Sequence, residues 1–144
     1  MPYVKIWLHC VWGTKNRDPL LIPGKKYDII NHIRTNAATN GIYIDFINGY
    51  REHLHSLLLL TCDQSLSKVM QLIKGESSYW INKNRIIPCK FEWADEYYCV
   101  SVSNSHVEKV RRYIKNQEEH HRIRTWSDER DDFISRYGFS TRHD

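Results

Sequence analysis

The sequence predicts an α+β domain with a ferredoxin-like (split βαβ) antiparallel sheet, helices on one face and an added C-terminal helix that carries a tyrosine. Strand-like and helix-like stretches follow one another in the order β-α-β-β-α-β-α, which is the order of that fold. Hydrophobic residues make up 41% of the 144 residues, enough to form a core. Because no repeat or low-complexity linker interrupts the pattern, residues 1–144 are expected to form a single domain.

The first strand and the first helix are separated by a loop. The stretch from Tyr3 to Thr14, "YVKIWLHCVWGT", is rich in β-branched and aromatic residues, and the prolines and glycine that follow it interrupt regular structure. Apolar residues then recur at helical spacing from Lys25 to about Asn40. Gly41 is a suitable residue to end this helix.

A β-hairpin and a second helix come next. The segments 42–49 and 53–61 are strand-like and are joined by a short connection, as in a hairpin. Asp63 is a suitable N-cap for a helix that runs to about Lys83. The small residues Gly75, Ser77 and Ser78 in this helix predict a close approach by another group.

The last third of the chain predicts one strand and two helices. Segment 91–103 ends in a strand in which Tyr98, Val100 and Val102 alternate with smaller residues. A third helix is expected from Ser105 to about His121. The stretch "SDERDDFISRYGF" predicts a short final helix that ends at Gly138.

The overall composition indicates which kind of binding partner and which cellular compartment to expect. The net charge of +4 and the pI near 8.9 are mildly basic, which favours a polyanionic partner without establishing one. The four cysteines contain no C-x-x-C pair and suggest buried thiols in a reducing, cytoplasmic compartment. No segment approaches the roughly 20 apolar residues that span a bilayer, so neither a membrane location nor secretion is expected.

Two histidines alternate on the predicted third strand. Side chains two residues apart on a strand share a face, so His53 and His55 would stand roughly 7 Å apart with Leu54 on the other side. Two imidazoles in this position can bind one metal ion. The alternative is that both are polar residues on the solvent side of a half-buried strand.

A tyrosine and an amide share one edge of the predicted third helix. Tyr113 and Gln117 are four residues apart, and the apolar stripe of Val107, Val110 and Ile114 lies beside them. Both side chains therefore face the same region. The alternative is an ordinary tyrosine and glutamine at the rim of an amphipathic helix.

Together these motifs resemble the single-tyrosine HUH transposases of the IS200-like family, including the REP-associated tyrosine transposases. The stretch "HLH" matches the histidine-hydrophobic-histidine motif of that family, and "YIKNQ" matches its tyrosine-x-x-x-glutamine motif. Three further stretches agree with the family: "HCVWGTKNRDPLL", "LIKGESSYWINK" and "YYCVSVS". The resemblance covers nearly the whole chain, from about Tyr3 to Gly138.

The resemblance implies a DNA transposase with a tyrosine nucleophile and a divalent metal ion. Tyr113 would attack single-stranded DNA and form a 5′-phosphotyrosine, leaving a free 3′-hydroxyl. A tyrosine with a pKa of about 10 is a weak nucleophile, so a cation must stabilise the developing charge. The expected metal ligands are His53, His55 and Gln117, and the ion is Mg²⁺ or Mn²⁺.

The resemblance also implies the partners. The substrate would be single-stranded DNA with hairpins near the ends of the mobile element, and the protein would form a homodimer in which Tyr113 acts in its own subunit or in the partner's. Tyr79 and Trp80 are candidates for stacking on bases, although Trp80 would also fit the core. Basic residues expected to contact phosphates are Lys15, Arg17, Lys74, Lys83, Arg111 and Arg112, although each would also fit a solvated basic face.

Other readings of the same residues stay open. His9 on the first strand fits either a residue that approaches the site or, as the favoured alternative, a buried structural histidine. His121 lies within one turn of Gln117 and offers a substitute ligand. Glu52 and the acidic pair after Gln117 place negative charge where a phosphate would lie. The alternative functions are a domesticated or inactive hairpin-DNA-binding protein, or a rolling-circle-type HUH nickase, although the glutamine four residues after the tyrosine disfavours the nickase.

Overall fold

The sheet has the predicted split βαβ topology. The computed structural model describes residues 2–121 and 124–137. Its four strands lie in the order β2-β3-β1-β4, and every neighbouring pair is antiparallel. The strands are β1 (Ile6–Gly13), β2 (Tyr43–Gly49), β3 (His53–Leu60) and β4 (Tyr98–Val102). The predicted fold class is therefore confirmed.

Helices pack on both faces of this sheet. The helices are α1 (Lys26–Thr39), α2 (Leu66–Lys83), α3 (Val107–Lys115), α4 (Gln117–His121) and α5 (Trp126–Tyr137). The main core lies between the sheet and helices α1 and α2, and it includes Trp12, Leu54 and Leu58. A smaller cluster on the opposite face packs Leu57 against Ile114 of α3. The helix that carries Tyr113 thus lies on the face that α1 and α2 leave open.

The hairpin between β2 and β3 fixes the start of β3. A Cβ added at Gly49 would collide with the carbonyl oxygen of His53 and lie 2.8 Å from Cα of Leu54. Only glycine lets the two strands approach so closely here. The register that results places Gly49 opposite Leu54 and Asn48 opposite His55.

The second helix differs from the prediction at its start and at its glycine. Ser65 rather than Asp63 is the N-cap, because its hydroxyl accepts a hydrogen bond from the backbone N–H of Lys68 at 3.2 Å. No heavy atom of the described residues lies within 4 Å of a Cβ built on Gly75, apart from its immediate surroundings on the helix. The expected close approach to this glycine is therefore wrong within the described protein, and Gly75 faces an open cavity instead.

The predicted third helix is divided in two. A single helix was expected from Ser105 to His121, but α3 ends at Lys115 and α4 begins at Gln117. Asn116 lies between them with φ −95° and ψ 27°, and asparagine is a poor helix former that favours caps. The final helix α5 begins at Trp126, and its predicted end at Gly138 lies outside the described residues.

The four cysteines differ in exposure. Cys10 is buried and Cys99 half-buried, but Cys62 and Cys89 are exposed, so the expectation of buried thiols is wrong for the last two. Their positions, after β3 and after α2, are surface connections.

Within residues 2–121 and 124–137, every helix is too short or too polar to cross a membrane.

Candidate active site

Strand β3 places both histidines of the HLH motif on the face that carries α3. Leu54 points into the main core, whereas Leu57, two residues beyond His55, belongs to the cluster under α3. The alternation predicted for this strand is therefore present. Both His53 and His55 are 0% exposed, so the alternative of a solvent-facing pair is wrong.

Helix α3 brings Tyr113 to the histidines of the same chain. The tyrosine ring centroid lies 5.5 Å from that of His55, in an edge-to-face arrangement. Gln117 is fully buried, and its Oε1 lies 3.2 Å from Nε2 of His53. Its amide nitrogen donates to the carbonyl oxygen of Tyr113 at 3.2 Å. The four residues of the two predicted motifs thus lie together, although β3 and α3 are far apart in the sequence.

Glu129 of α5 is at the centre of the site and was not predicted. Its Oε1 lies 3.0 Å from Nε2 of His55 and 3.1 Å from Nε2 of His53. Nε2 of His121 lies 3.2 Å from the same oxygen. The hydroxyl of Tyr113 donates a hydrogen bond to Oε2 of Glu129. In the sequence Glu129 is one of several acidic residues of an amphipathic helix, so no local signal distinguishes it.

The other ring nitrogens of the paired histidines have partners of their own. Nδ1 of His53 lies 3.0 Å from Oε1 of Glu52, and Nδ1 of His55 lies 2.9 Å from Nε2 of His9. Such contacts fix the orientation and the tautomer of an imidazole that binds a metal. Glu52, considered above only as negative charge near a phosphate, therefore orients His53.

Aromatic rings enclose the cluster. The indole of Trp126 stacks on His53, with ring centroids 4.3 Å apart and planes 11° from parallel. The ring of Tyr50 stacks on His121 with centroids 5.2 Å apart, and Phe133 contacts the edge of His9. These rings cover the imidazoles, which accounts for the burial of the histidines.

Burial and neighbouring charges shift the pKa values of the site histidines in different directions. Burial lowers the pKa of His9 to about 3 and that of His55 to about 4, so both rings are neutral at neutral pH. Burial also acts against a charged His53, but Glu129 and Glu52 outweigh it and raise the pKa of that ring. Two carboxylates therefore favour a positive charge at His53, whether it comes from a proton or from a bound cation.

The pKa of Tyr113 is raised, whereas the pKa of the neighbouring carboxyl of Glu129 is lowered. Burial, followed by the charge of Glu129, raises the pKa of Tyr113 well above its usual value. Burial also disfavours the charged form of Glu129, but its hydrogen bonds with His121, His53 and His55 lower the pKa of the carboxyl far below its usual range. Tyr113 is thus a protonated phenol that donates to a permanent carboxylate.

The donor atoms in this cluster fit a divalent metal ion. Imidazole nitrogens and carboxylate or amide oxygens are ligands for Mn²⁺, Mg²⁺ and heavier divalent ions. One atom each from His53, His55 and Glu129 lie within 4.8 Å of one another, and all three residues are buried. The residues present therefore fit the metal that the sequence predicts, with Gln117 adjacent to His53.

A cavity of about 450 Å³ opens beside the tyrosine. Tyr113 and Glu129 lie in its wall. The lining also includes three cations, Lys109, Arg124 and Arg136, and the carboxylate of Asp132, which lies 3.7 Å from Arg124. This volume and charge suit a segment of a polyanionic chain next to the tyrosine hydroxyl.

Among the described residues, none of the six basic residues predicted to contact phosphates lines this cavity. Lys15 pairs with Glu92 at 3.0 Å, and Arg17 donates to the hydroxyl of Ser127. Lys74 donates to the backbone oxygen of Asp95 at 2.9 Å.

The remaining three of these basic residues are on helices α2 and α3. Lys83 lies over the ring of Tyr79, which is 62% exposed. Arg111 pairs with Asp45 at 2.8 Å, and Arg112 is exposed. Of the two predicted stacking residues, Trp80 is half-buried and stacks on His32, with ring centroids 3.9 Å apart.

Solved structures show the same fold. A crystal structure of a Deinococcus radiodurans R1 protein assigned as a transposase superposes with a TM-score of 0.65 at 23% identity, covering 81% of this chain and 95% of that one. A REP-associated tyrosine transposase bound to a REP hairpin superposes with a TM-score of 0.61 at 16% identity, covering 88% and 73% of the two chains.

Sequence comparisons identify the family. The ISDra2 transposase TnpA of Deinococcus radiodurans is 24% identical over 115 residues, which cover 76% of this chain and 81% of the relative. A family model described as "Transposase IS200 like" matches residues 2–117. That match includes the HLH motif and ends at the glutamine of the tyrosine motif. The chain therefore belongs to the IS200-like transposase family.

Proposed function

We propose that this protein cleaves and rejoins single-stranded DNA at hairpin-marked element ends through a 5′-phosphotyrosine at Tyr113. The family to which the chain belongs implies DNA cleavage and rejoining. The observation that carries the more specific proposal is the position of Tyr113, whose ring packs against His55 while Gln117, one helical turn on, reaches His53. A nucleophile and a cluster of metal donors thus share one site.

In the cleavage step, the phenolic oxygen of Tyr113 forms a bond to the scissile phosphorus. The bond from phosphorus to the 3′ oxygen of the neighbouring nucleotide breaks, and that oxygen takes up a proton and leaves as a 3′-hydroxyl. The phenolic proton passes to solvent after its hydrogen bond to Oε2 of Glu129 is broken, because the pKa of this carboxyl lies far below its usual range. Attack by a 3′-hydroxyl on the phosphotyrosine reverses these changes and joins new ends without an external energy source.

A divalent ion, Mg²⁺ or Mn²⁺, held by His53, His55 and Gln117 would polarise the phosphate and stabilise its developing negative charge. The chain itself orients the donor atoms. His9 and Glu52 hold the two histidine rings, and Trp126 stacks on His53 and keeps water away from it.

The DNA strand would reach the tyrosine through the cavity that it lines. Lys109, Arg124 and Arg136 would neutralise phosphates there. The six predicted basic residues would contact more distant parts of the substrate, such as a hairpin. A hairpin is bound by the REP-associated tyrosine transposase that shares this fold, which supports a hairpin as the recognition feature here.

We further propose that the protein acts as a homodimer. Because Tyr113 faces the histidines of its own chain in this structure, a single subunit holds all four residues of the two motifs. The second subunit would then carry the second DNA end, as strand exchange between two ends requires.

One observation favours a second candidate function. The hydroxyl of Tyr113 is hydrogen-bonded to Glu129 and has a raised pKa, so the nucleophile is not activated in this arrangement. A domesticated protein that binds hairpins without cutting would also have these features. Such a protein would bind DNA without forming a covalent adduct.

Covalent capture of DNA tests both candidates. Oligonucleotides that carry the palindromes flanking the reading frame are incubated with protein and Mn²⁺, and adducts are resolved on a denaturing gel. Wild-type protein is expected to form an adduct and Tyr113→Phe to form none, although that variant keeps hairpin binding because only the nucleophilic oxygen is removed.

Tyr27→Phe, an exposed tyrosine on α1, is the matched control and should form the adduct normally. An adduct of normal yield in Tyr113→Phe would reject the assigned nucleophile. Binding without an adduct in wild-type protein would favour the hairpin-binding function instead.

A further inference from the structure

The segment that follows the family match adds two side chains to the cluster of donor atoms. The match ends at residue 117, but His121 in α4 and Glu129 in α5 lie against the paired histidines. Both side chains are buried, with 9% and 3% of their surfaces exposed. A carboxylate is rarely buried among imidazoles unless it is paired or binds a metal.

Oε1 of Glu129 has more close nitrogen neighbours than it can accept hydrogen bonds from. Nε2 atoms of His53, His55 and His121 all lie 3.0–3.2 Å from Oε1 of Glu129. A carboxylate oxygen has about two lone-pair sites, so it cannot accept three N–H donors well. Nε2 of His53 also faces Oε1 of Gln117 at 3.2 Å. A cation between these atoms would satisfy all of their lone pairs at once.

The contacts of the Nδ1 atoms of His53 and His55 also favour a bound cation. If His53 donates its Nδ1–H to Glu52, and His55 donates its Nδ1–H to His9, the neutral rings have bare Nε2 atoms. These two bare nitrogens then face Oε1 of Glu129, which has no proton to offer. This arrangement is repulsive when both Nε2 atoms are bare. A proton relieves the repulsion for one ring, whereas a metal ion between the three atoms relieves it for both rings at once.

The separations also match a coordination sphere. Ligand atoms about 2.1 Å from a common ion are about 3.0 Å apart when they subtend a right angle and about 3.4 Å apart at tetrahedral angles. The four separations in this cluster, from 3.0 to 3.2 Å, fall between these values.

We propose that the C-terminal segment supplies two further ligands to the metal ion, the carboxylate of Glu129 and the imidazole of His121. This inference rests on the proposed function, in which the ion is held by the two histidines of the HLH motif and by Gln117. The complete set is three imidazole nitrogens and two oxygens, which leaves one position of a six-coordinate ion for a phosphate oxygen. Such a set selects transition ions such as Mn²⁺, Co²⁺ or Zn²⁺ over Mg²⁺, which prefers oxygen ligands and water.

Cobalt titration of the DNA-free protein tests this inference. Co²⁺ binding is measured by calorimetry and by its visible absorption in wild type, Glu129→Gln and His121→Phe, and the last variant keeps a ring to stack on Tyr50. Each variant is expected to lose Co²⁺ affinity by at least about tenfold, since loss of an outer-shell partner alone costs that much. Wild type is expected to bind Co²⁺ on the order of a hundredfold more tightly than Mg²⁺.

Two controls separate ligand loss from general effects. Asp128→Asn removes a charge from an exposed neighbour on α5, and His32→Gln removes a histidine that pairs with Glu76 away from the site. Both should bind Co²⁺ as wild type does. Circular dichroism of each variant without metal establishes that it is folded. If Glu129→Gln does not fold, His121→Phe and the wild-type preference for Co²⁺ still decide the question.

Three outcomes would overturn the two added ligands. The first is unchanged affinity in both variants, and the second is tighter Co²⁺ binding in Glu129→Gln, which would show that the carboxylate occupies the place of the ion. The third is equal wild-type affinity for Co²⁺ and Mg²⁺. None of these affects the covalent adduct at Tyr113, so the proposed function stands or fails separately.

Discussion

Nε2 of His9 on β1 lies 2.9 Å from Nδ1 of His55 on β3, and both rings are buried. The two residues belong to adjacent strands, in which Val11 is the direct partner of His55. Because the low pKa values of both rings keep them neutral, one hydrogen bond joins them. When that bond runs from His55 to His9, Nε2 of His55 is free to bind a metal.

Replacing His9 should therefore weaken metal binding without removing a ligand. His9→Phe keeps the ring volume but cannot accept the hydrogen bond, and we expect Mn²⁺ affinity to fall by roughly tenfold. His9→Gln places an amide oxygen near the position of Nε2 and should restore most of that affinity. Calorimetric titration with Mn²⁺ measures both, and wild-type affinity in His9→Phe would mean that the contact does not orient His55.

Metal binding should also stabilise the fold. A ligand that binds only the native state, at a free concentration 100 times its dissociation constant, adds about 2.7 kcal/mol to the free energy of unfolding. This corresponds to an increase of roughly 10 °C in Tm for a domain of this size. The double variant His53→Ala/His55→Ala should lose this increase, whereas His32→Gln should keep it. Thermal melts with Mn²⁺ and with a chelator give the comparison, and an equal increase in the double variant would place the bound ion elsewhere.

The cavity beside the tyrosine should contribute to DNA affinity through charge. Lys109 is exposed at this cavity, so Lys109→Ala should reduce the slope of log affinity against log salt by about 0.7 for single-stranded DNA. Lys90→Ala removes another exposed lysine, which pairs with Glu92, and should leave the slope unchanged. Fluorescence anisotropy at several salt concentrations measures the slope. Equal slopes for the two variants would show that DNA does not bind in this cavity.

A buried hydroxyl on α2 should matter for stability alone. Ser77 accepts a hydrogen bond from Nε1 of Trp93 at 2.9 Å and is 0% exposed. Ser77→Ala leaves the buried indole N–H without this acceptor, which should cost about 1–3 kcal/mol in the free energy of unfolding. Ser78→Ala, where the hydroxyl bonds only to its own helix among the described contacts, should change little. Urea denaturation distinguishes them, and equal stability would mean that water replaces the hydroxyl.

The strands and the first two helices could be predicted because each has a local signal. The alternation around Leu54 fixes which side of β3 carries His53 and His55, and this parity cannot change without turning the strand over. The break at Asn116 could not be predicted, because the polar run "KNQEEHH" that contains it also fits the exposed end of one continuous helix. The helix divides there, and Gln117 is buried against His53.

The sequence by itself determined the two motifs and the split βαβ order, since these depend on spacing along single elements, and the family resemblance implied that the two histidines act with the tyrosine and the glutamine. Only the tertiary structure decided that Glu129 and His121 join them. The physical reason is that α5 is amphipathic and acidic along much of its length, so its pattern does not show which carboxylate will be buried. That choice is made by Trp126 stacking on His53 and by Phe133 packing on His9, contacts between distant parts of the chain that bring Glu129 beside the tyrosine.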